Sequence, residues 1–152
     1  MRYWLMKSEP DVFSIEQLEK VGRSSWDGVR NYQARNFMRD DMKVGDQVFF
    51  YHSNATPPGI AGIAEVAKES HPDATQFDAK SEYYDPKASK DKPIWFMVEV
   101  KFRKKFKSLL PLDTLRGHVK ELDGLALRSR GSRLSVMPVE KKHWEYIIKL
   151  VG

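Results

Sequence analysis

The chain predicts a single α+β domain, a small closed or nearly closed β-barrel decorated by short helices. Three observations carry that expectation. At 152 residues, with 41% hydrophobic and 12% aromatic, the chain suits one core and no second. Its apolar runs are short, rich in Phe, Tyr, Trp, Val and Ile, and separated by turn residues, as in the strands of a compact barrel. Helical spacing shows only in brief stretches. No repeat, low-complexity tract or linker divides the chain, so residues 1–152 are read as one domain.

Tyr3 to Lys7 predicts a first strand, ended by Ser8-Glu9-Pro10 because Pro10 has no N–H for a ladder and restricts Glu9. Ser14 with Gln17 three residues on forms a capping box; Ile15, Leu18 and Val21 follow at helical spacing, and Gly22 is the stop. A second helix is expected over Tyr32 to Met38, with Ala34, Phe37 and Met38 inward and Arg35 and Arg39 outward. Lys43-Val44-Gly45-Asp46 reads as a turn and Gln47 to His52 as an aromatic strand. Pro57-Pro58-Gly59 turns the chain into a strand over Ile60 to Lys68, whose glycines mark tight curvature or close backbone approach. His71 to Pro93, rich in Asp, Lys, Ser and Tyr with three prolines, predicts a long excursion. Trp95 to Phe106 alternates as a long strand, and Leu112 to Arg116 suits a helical turn. Ser132 to Val136 reads as a last strand, and Pro138 opens a closing helix that buries Val139, His143 or Trp144, Ile147 and Leu150.

Lys plus Arg number 26 against 21 Asp plus Glu, a net charge of +5 that favours a polyanionic partner without requiring one. The absence of cysteine excludes disulfides, thiol catalysis and Cys-type zinc sites. His52, His71, His118 and His143 lack the HxxxH or HxH spacing of a metal site, and no GxSxG, phosphate-loop or GxGxxG pattern occurs. No cofactor is therefore expected. MRYWLMKSEP is neither a signal peptide nor a membrane span, so an intracellular, cytoplasmic protein without membrane contact is expected. Nothing specifies an oligomer, and a monomer is the working expectation.

Between Trp26 and Asn36 the chain reads WDGVRNYQARN, dense in planar side chains with fixed donors and acceptors and poor in core material. Such a run suits a lining for something flat and polar, a nucleobase above all. Trp26 is the candidate stacking wall; its alternative is a core Trp, the role expected of Trp4, Trp95 and Trp144. Asn31 and Gln33 offer amide forks to a base edge, although Asn31 equally suits a helix N-cap. Arg30 and Arg35 can contact phosphate or lie on a solvated face.

Ser8 and Glu9 end the first strand, where side chains can aim into a barrel mouth. Glu9 can accept from an exocyclic amine or act as a capping charge. His52 and Ser53 end another strand in the same way, with a structural hydrogen bond as the alternative for His52. Arg128, Arg130 and Arg133 surround Gly131, with Ser129, Ser132 and Ser135 between; the loop suits phosphate, or is a charged surface turn. Lys101, Arg103, Lys104, Lys105 and Lys107 read as a solvated strand face, with nonspecific phosphate attraction as the second reading and Phe102 and Phe106 turned inward.

YWLMKSEP, WDGVRNYQARNFMR, FFYHSN, PGIAGIAEV, QFDAKSEYYDP and RGSRLSVMPV, spread in order over nearly the whole chain, together resemble the EVE domain family. Ala74 and Ala79 depart from it where prolines are expected, which bears on the stiffness of that loop. The resemblance implies a PUA-like barrel related to the YTH and ASCH folds, and recognition of a modified base in DNA or RNA. In YTH domains a Lys-Ser step after the first strand and a downstream Trp with an Asn help hold a methylated adenine; Lys7-Ser8 and Trp26 with Asn31 are similar in type and order.

The expected function is thus a module that binds nucleic acid carrying a modified base, flipped or single-stranded. Trp26 is the wall; Ser8, Glu9, Asn31 and His52 are polar readers, with Lys7, Gln33, Ser53 and Ser132 beside them. Arg30, Arg35, Arg130 and Arg133 hold the backbone. The rivals are an ASCH-like enzyme acting on RNA or a nucleotide, for which Lys7, Ser8 and Glu9 would be the candidates, and a binder of free modified nucleosides.

Overall fold

The computed structural model describes residues 1–128 and 134–151. Its first elements are β1 (Tyr3–Ser8), α1 (Ile15–Val21), the short β2 (Arg23–Ser25) and α2 (Tyr32–Asn36), the last running into a π-turn over Phe37–Asp41. Then come β3 (Gln47–His52), β4 (Gly59–Pro72), β5 (Phe96–Pro111), α3 (Leu112–Gly117), β6 (Val136–Val139) and α4 (Lys141–Val151). The six strands form one mixed sheet in the order β2-β5-β4-β3-β1-β6, with only the β1–β3 pair parallel. The class is α+β. The sheet curls so that Val100 of β5 and Val136 of β6 share one apolar cluster, while the end strands β2 and β6 do not pair with each other among the described residues.

The two faces of the sheet carry separate halves of the core. Trp4 and Met6 of β1 and Val48 and Phe50 of β3 meet α1 and the α2–π segment through Ile15, Leu18, Ala34 and Met38. Leu5, Phe49 and Tyr51 point the other way, to Leu115 of α3 and Trp144 and Ile147 of α4. Burial on both faces explains why VFFYH is a continuous apolar run rather than an alternating one. Asp46 pins the start of β1 by accepting from the Trp4 indole Nε1 and the Arg2 N–H, both at 3.0 Å.

The capping box of α1 is complete: Ser14 Oγ accepts from Gln17 N–H, Gln17 Oε1 accepts from Ser14 N–H, and Gly22 closes the helix at φ +82°. Of the helix's expected apolar stripe, Ile15 and Leu18 are buried but Val21 is exposed. At Gly59 and Gly62 an added Cβ would run into the carbonyl oxygens of Leu110 and Lys104, the close β4–β5 approach that those glycines foretold.

The C-terminal elements depart from expectation. The last strand is Val136–Val139, later than Ser132 to Val136, and residues 129–133 lie outside the described residues. Pro138 sits inside that strand, opposite Trp4, instead of opening the helix, which starts at Lys141. β6 is an edge strand, so Pro138 can lack an N–H there without breaking a ladder. β4 and β5 both run longer than expected, across repeated register shifts.

Candidate functional site

The end of β1, the turn after it, β2 and the loop leading to α2 enclose a cavity of about 1030 Å³. Lys7, Ser8 and Glu9 line one side, Trp26 to Asn31 another, and Tyr83 reaches in from the long 71–93 excursion.

Asp73, fully buried, fastens that excursion to the cavity wall. Its Oδ2 accepts from Gly28 N–H at 2.8 Å and Arg30 Nη1 at 3.2 Å, while Oδ1 accepts from Thr75 N–H at 2.9 Å. Burial pushes the Asp73 carboxyl up, but the hydrogen bonds from Thr75, Gly28 and Arg30 outweigh it and hold the group below the usual carboxylate range. Gln76, also fully buried, accepts through Oε1 from Ile94 N–H and Trp95 N–H and donates through Nε2 to Asp73 O and Trp95 O. Trp95 in turn gives its indole N–H to Asp85 at 2.8 Å. The excursion is therefore an ordered clamp. Tyr83 lies over Gly28, which adopts φ +77°.

Six of the expected site residues line the cavity: Lys7, Ser8, Glu9, Trp26, Arg30 and Asn31. Trp26 is 7% exposed, as buried as Trp144, and stands edge-on to Phe50 with centroids 5.4 Å apart. It is at once core and wall; its polar neighbours in sequence did not make it a surface residue. Asn31 Oδ1 accepts from Ala34 N–H at 2.9 Å as the N-cap of α2, which leaves Nδ2 as its available donor. Ser8 Oγ donates to Phe13 O at 2.6 Å and Glu9 Oε1 accepts from Asn54 Nδ2 at 3.1 Å. Half-burial pushes the Lys7 ammonium down.

Arg30 lines the cavity but has no donor for a phosphate. Nε donates to Tyr83 O, Nη1 to Val29 O and Asp73, and Nη2 to Thr75 Oγ1 and Tyr83 O, which uses every N–H of the guanidinium. Arg35 lies outside the cavity, bonded to Ile94 O and Asn36 Oδ1 and placed over the Tyr32 ring. Gln33 is exposed away from it, and Ser53 is tied by its N–H to Ser8 O. His52 is buried, and its Nε2 accepts from the Ile15 N–H at 3.1 Å, so it caps α1 instead of reading a ligand. Burial holds its pKa below the ordinary histidine value, against a smaller opposite pull from Glu16. Arg130, Ser132 and Arg133 lie outside the described residues.

Asp27 and Tyr83 belong to the cavity and sequence reasoning missed both as site residues. Asp27 is exposed, opens onto the cavity and has no side-chain hydrogen bond among the described residues; desolvation first, then the charge of Asp73, raises its pKa. Its signal was its place beside Trp26. That of Tyr83 was weaker, a Tyr-rich stretch in a polar excursion. Among the described residues no three His, Cys, Asp or Glu side chains gather as a metal site, and no helix is long and apolar enough to cross a membrane.

The EVE domain model matches residues 2–150. Thymocyte nuclear protein 1 of Danio rerio is 46% identical over 165 residues, covering 97% of this chain and 71% of that protein. A Pseudomonas putida crystal structure superposes with a TM-score of 0.95 at 51% identity over 99% of both chains. Human THYN1, solved in complex with DNA containing 5-methylcytosine, superposes at 0.94 with 40% identity, over 100% of this chain and 98% of that one. An ASCH protein of Zymomonas mobilis shares the fold alone, at 0.54 and 9% identity.

Proposed function

This chain belongs to the EVE domain family, and from that premise we propose that it binds DNA carrying a modified base, 5-methylcytosine first among them, with the base turned into the Trp26 cavity. One observation carries the reading. The human relative that holds 5-methylcytosine DNA is similar over the whole chain, and here the corresponding fold presents a cavity with an indole wall and unshared polar atoms.

A base inside a duplex exposes neither its face nor its pairing edge, so reading both requires that it leave the stack. Stacking on an aromatic ring contributes about 1–3 kcal/mol, which offsets part of the cost of unstacking. Asn31 Nδ2 can donate to a base carbonyl or ring nitrogen, Glu9 and Ser8 line the mouth, and Lys7 brings positive charge beside it. Arg130 and Arg133 are assigned to the phosphates, in keeping with the net charge of +5. DNA is favoured over RNA by the human complex alone. The vertebrate relatives' name points to the nucleus and not to the cytoplasm expected from the sequence.

Equilibrium titration with two duplexes of one sequence, one carrying a single 5-methylcytosine, tests the reading. Tighter binding of the methylated duplex at every salt concentration is expected, because salt acts on the shared phosphates. Equal affinities overturn it.

A further inference from the structure

Asp27 follows Trp26 on the cavity wall, and among the described residues its carboxylate meets no partner beyond its own backbone amide. Asp27, Asp73 and Asp85 all lie within the field of Arg30, and the geometry gives the guanidinium to Asp73: Arg30 Nη1 is 3.2 Å from it, with the remaining N–H groups on Val29, Thr75 and Tyr83. Gly28 N–H also goes to Asp73. Among the described residues Asp27 is left as an acceptor without a side-chain donor, beside the Trp26 ring. Glu9, the other carboxylate of the cavity, already accepts from Asn54.

An ionised carboxylate accepts hydrogen bonds and donates none. Facing a base edge, it favours an exocyclic amine and opposes a carbonyl oxygen in the same place. This distinction matters for a pocket that looks for a 5-methyl pyrimidine. Thymine carries the same methyl group as 5-methylcytosine and differs along its pairing edge, with a carbonyl at C4 in place of the amine and an N–H at N3 in place of an acceptor nitrogen. A cavity that sensed shape alone would fill with thymine, which any DNA offers in abundance.

We infer that Asp27 sets the choice of base, accepting a hydrogen bond from the exocyclic amine of 5-methylcytosine and excluding thymine. The inference rests on the base-binding reading above. Asp27 is solvent-exposed on the cavity wall, within reach of an incoming base, and desolvation followed by the nearby Asp73 charge raises its pKa.

The test uses three duplexes identical except at one position, which carries 5-methylcytosine, cytosine or thymine opposite an abasic site, so that no base pair has to open. The parent chain, Asp27→Asn and Asp27→Ala are titrated with each, and melting curves confirm that the variants fold. The parent should prefer 5-methylcytosine to thymine by about tenfold or more. In Asp27→Asn, whose amide can also donate, that ratio should shrink to about threefold or less through tighter thymine binding, with the preference for 5-methylcytosine over cytosine kept. Asp27→Ala should narrow the ratio through weaker 5-methylcytosine binding. A parent ratio that persists in both variants overturns the role of Asp27 and leaves the base-binding reading standing. A parent that does not prefer 5-methylcytosine to cytosine overturns both.

Discussion

A Cβ built on Gly28 would stand 2.7 Å from the Tyr83 ring carbon Cζ, so these two residues meet only because position 28 has no side chain. The φ of +77° at Gly28 adds a second reason for glycine there. Gly28→Ala should therefore cost about 1–3 kcal/mol in chemical denaturation and push Tyr83 off the cavity wall. An unchanged denaturation midpoint would contradict that packing.

Arg30 holds the excursion to the wall and leaves fully buried Asp73 without its counter-charge if removed. Arg30→Ala should destabilise the fold by about 3–5 kcal/mol. Under conditions where the variant is folded, the salt dependence of DNA binding should match the parent, since Arg30 has no N–H left for phosphate. A flatter salt slope would return Arg30 to the backbone contacts.

His52 gives a pH dependence of defined sign. Its folded-state pKa lies below the ordinary histidine value because it is buried, and protonating Nε2 would end the hydrogen bond from Ile15 N–H. The unfolded chain then takes up the proton first, so the contribution of His52 is complete above about pH 6.5 and is lost as pH falls through the lower folded value. Melting temperatures of the parent and His52→Gln, compared from neutral pH downward, should converge. A constant difference would mean that His52 does not titrate in this window.

Much of the fold was legible because its signals are local. The capping box, the Gly22 stop, the bounds of β3 and the glycines of β4 each follow from neighbouring residues alone. Pro138 was misread because its tolerance depends on β6 being an edge, which only the assembled sheet decides. His52 and Ser8 end adjacent, paired strands, yet the His52 ring turns to the N-terminus of α1 while Ser8 borders the cavity. The WDGVRN loop pointed to the wall of the cavity. Tyr83, brought to that loop through Asp73 and Arg30, could not be placed from spacing, and the engagement of the Arg30 guanidinium was hidden because Asp73, Thr75 and Tyr83 lie more than forty residues away in the chain.

Trp26→Ala should have two separable effects. Loss of a buried indole packed on Phe50 should lower stability by about 3–5 kcal/mol. Affinity of the folded fraction for methylated DNA should fall by about 1–3 kcal/mol if the ring carries the base. Lost stability with unchanged affinity per folded molecule would make Trp26 core only.

A single base is expected to enter the cavity beside Trp26. Indole N–H resonances report it directly, because Trp26 lines that cavity while Trp144 packs on the opposite face of the sheet. With the Trp26 signal assigned through Trp26→Phe, titration with 5-methylcytosine DNA should shift it and leave the Trp144 signal in place. Saturated binding with an unmoved Trp26 resonance would mean that no base enters the cavity.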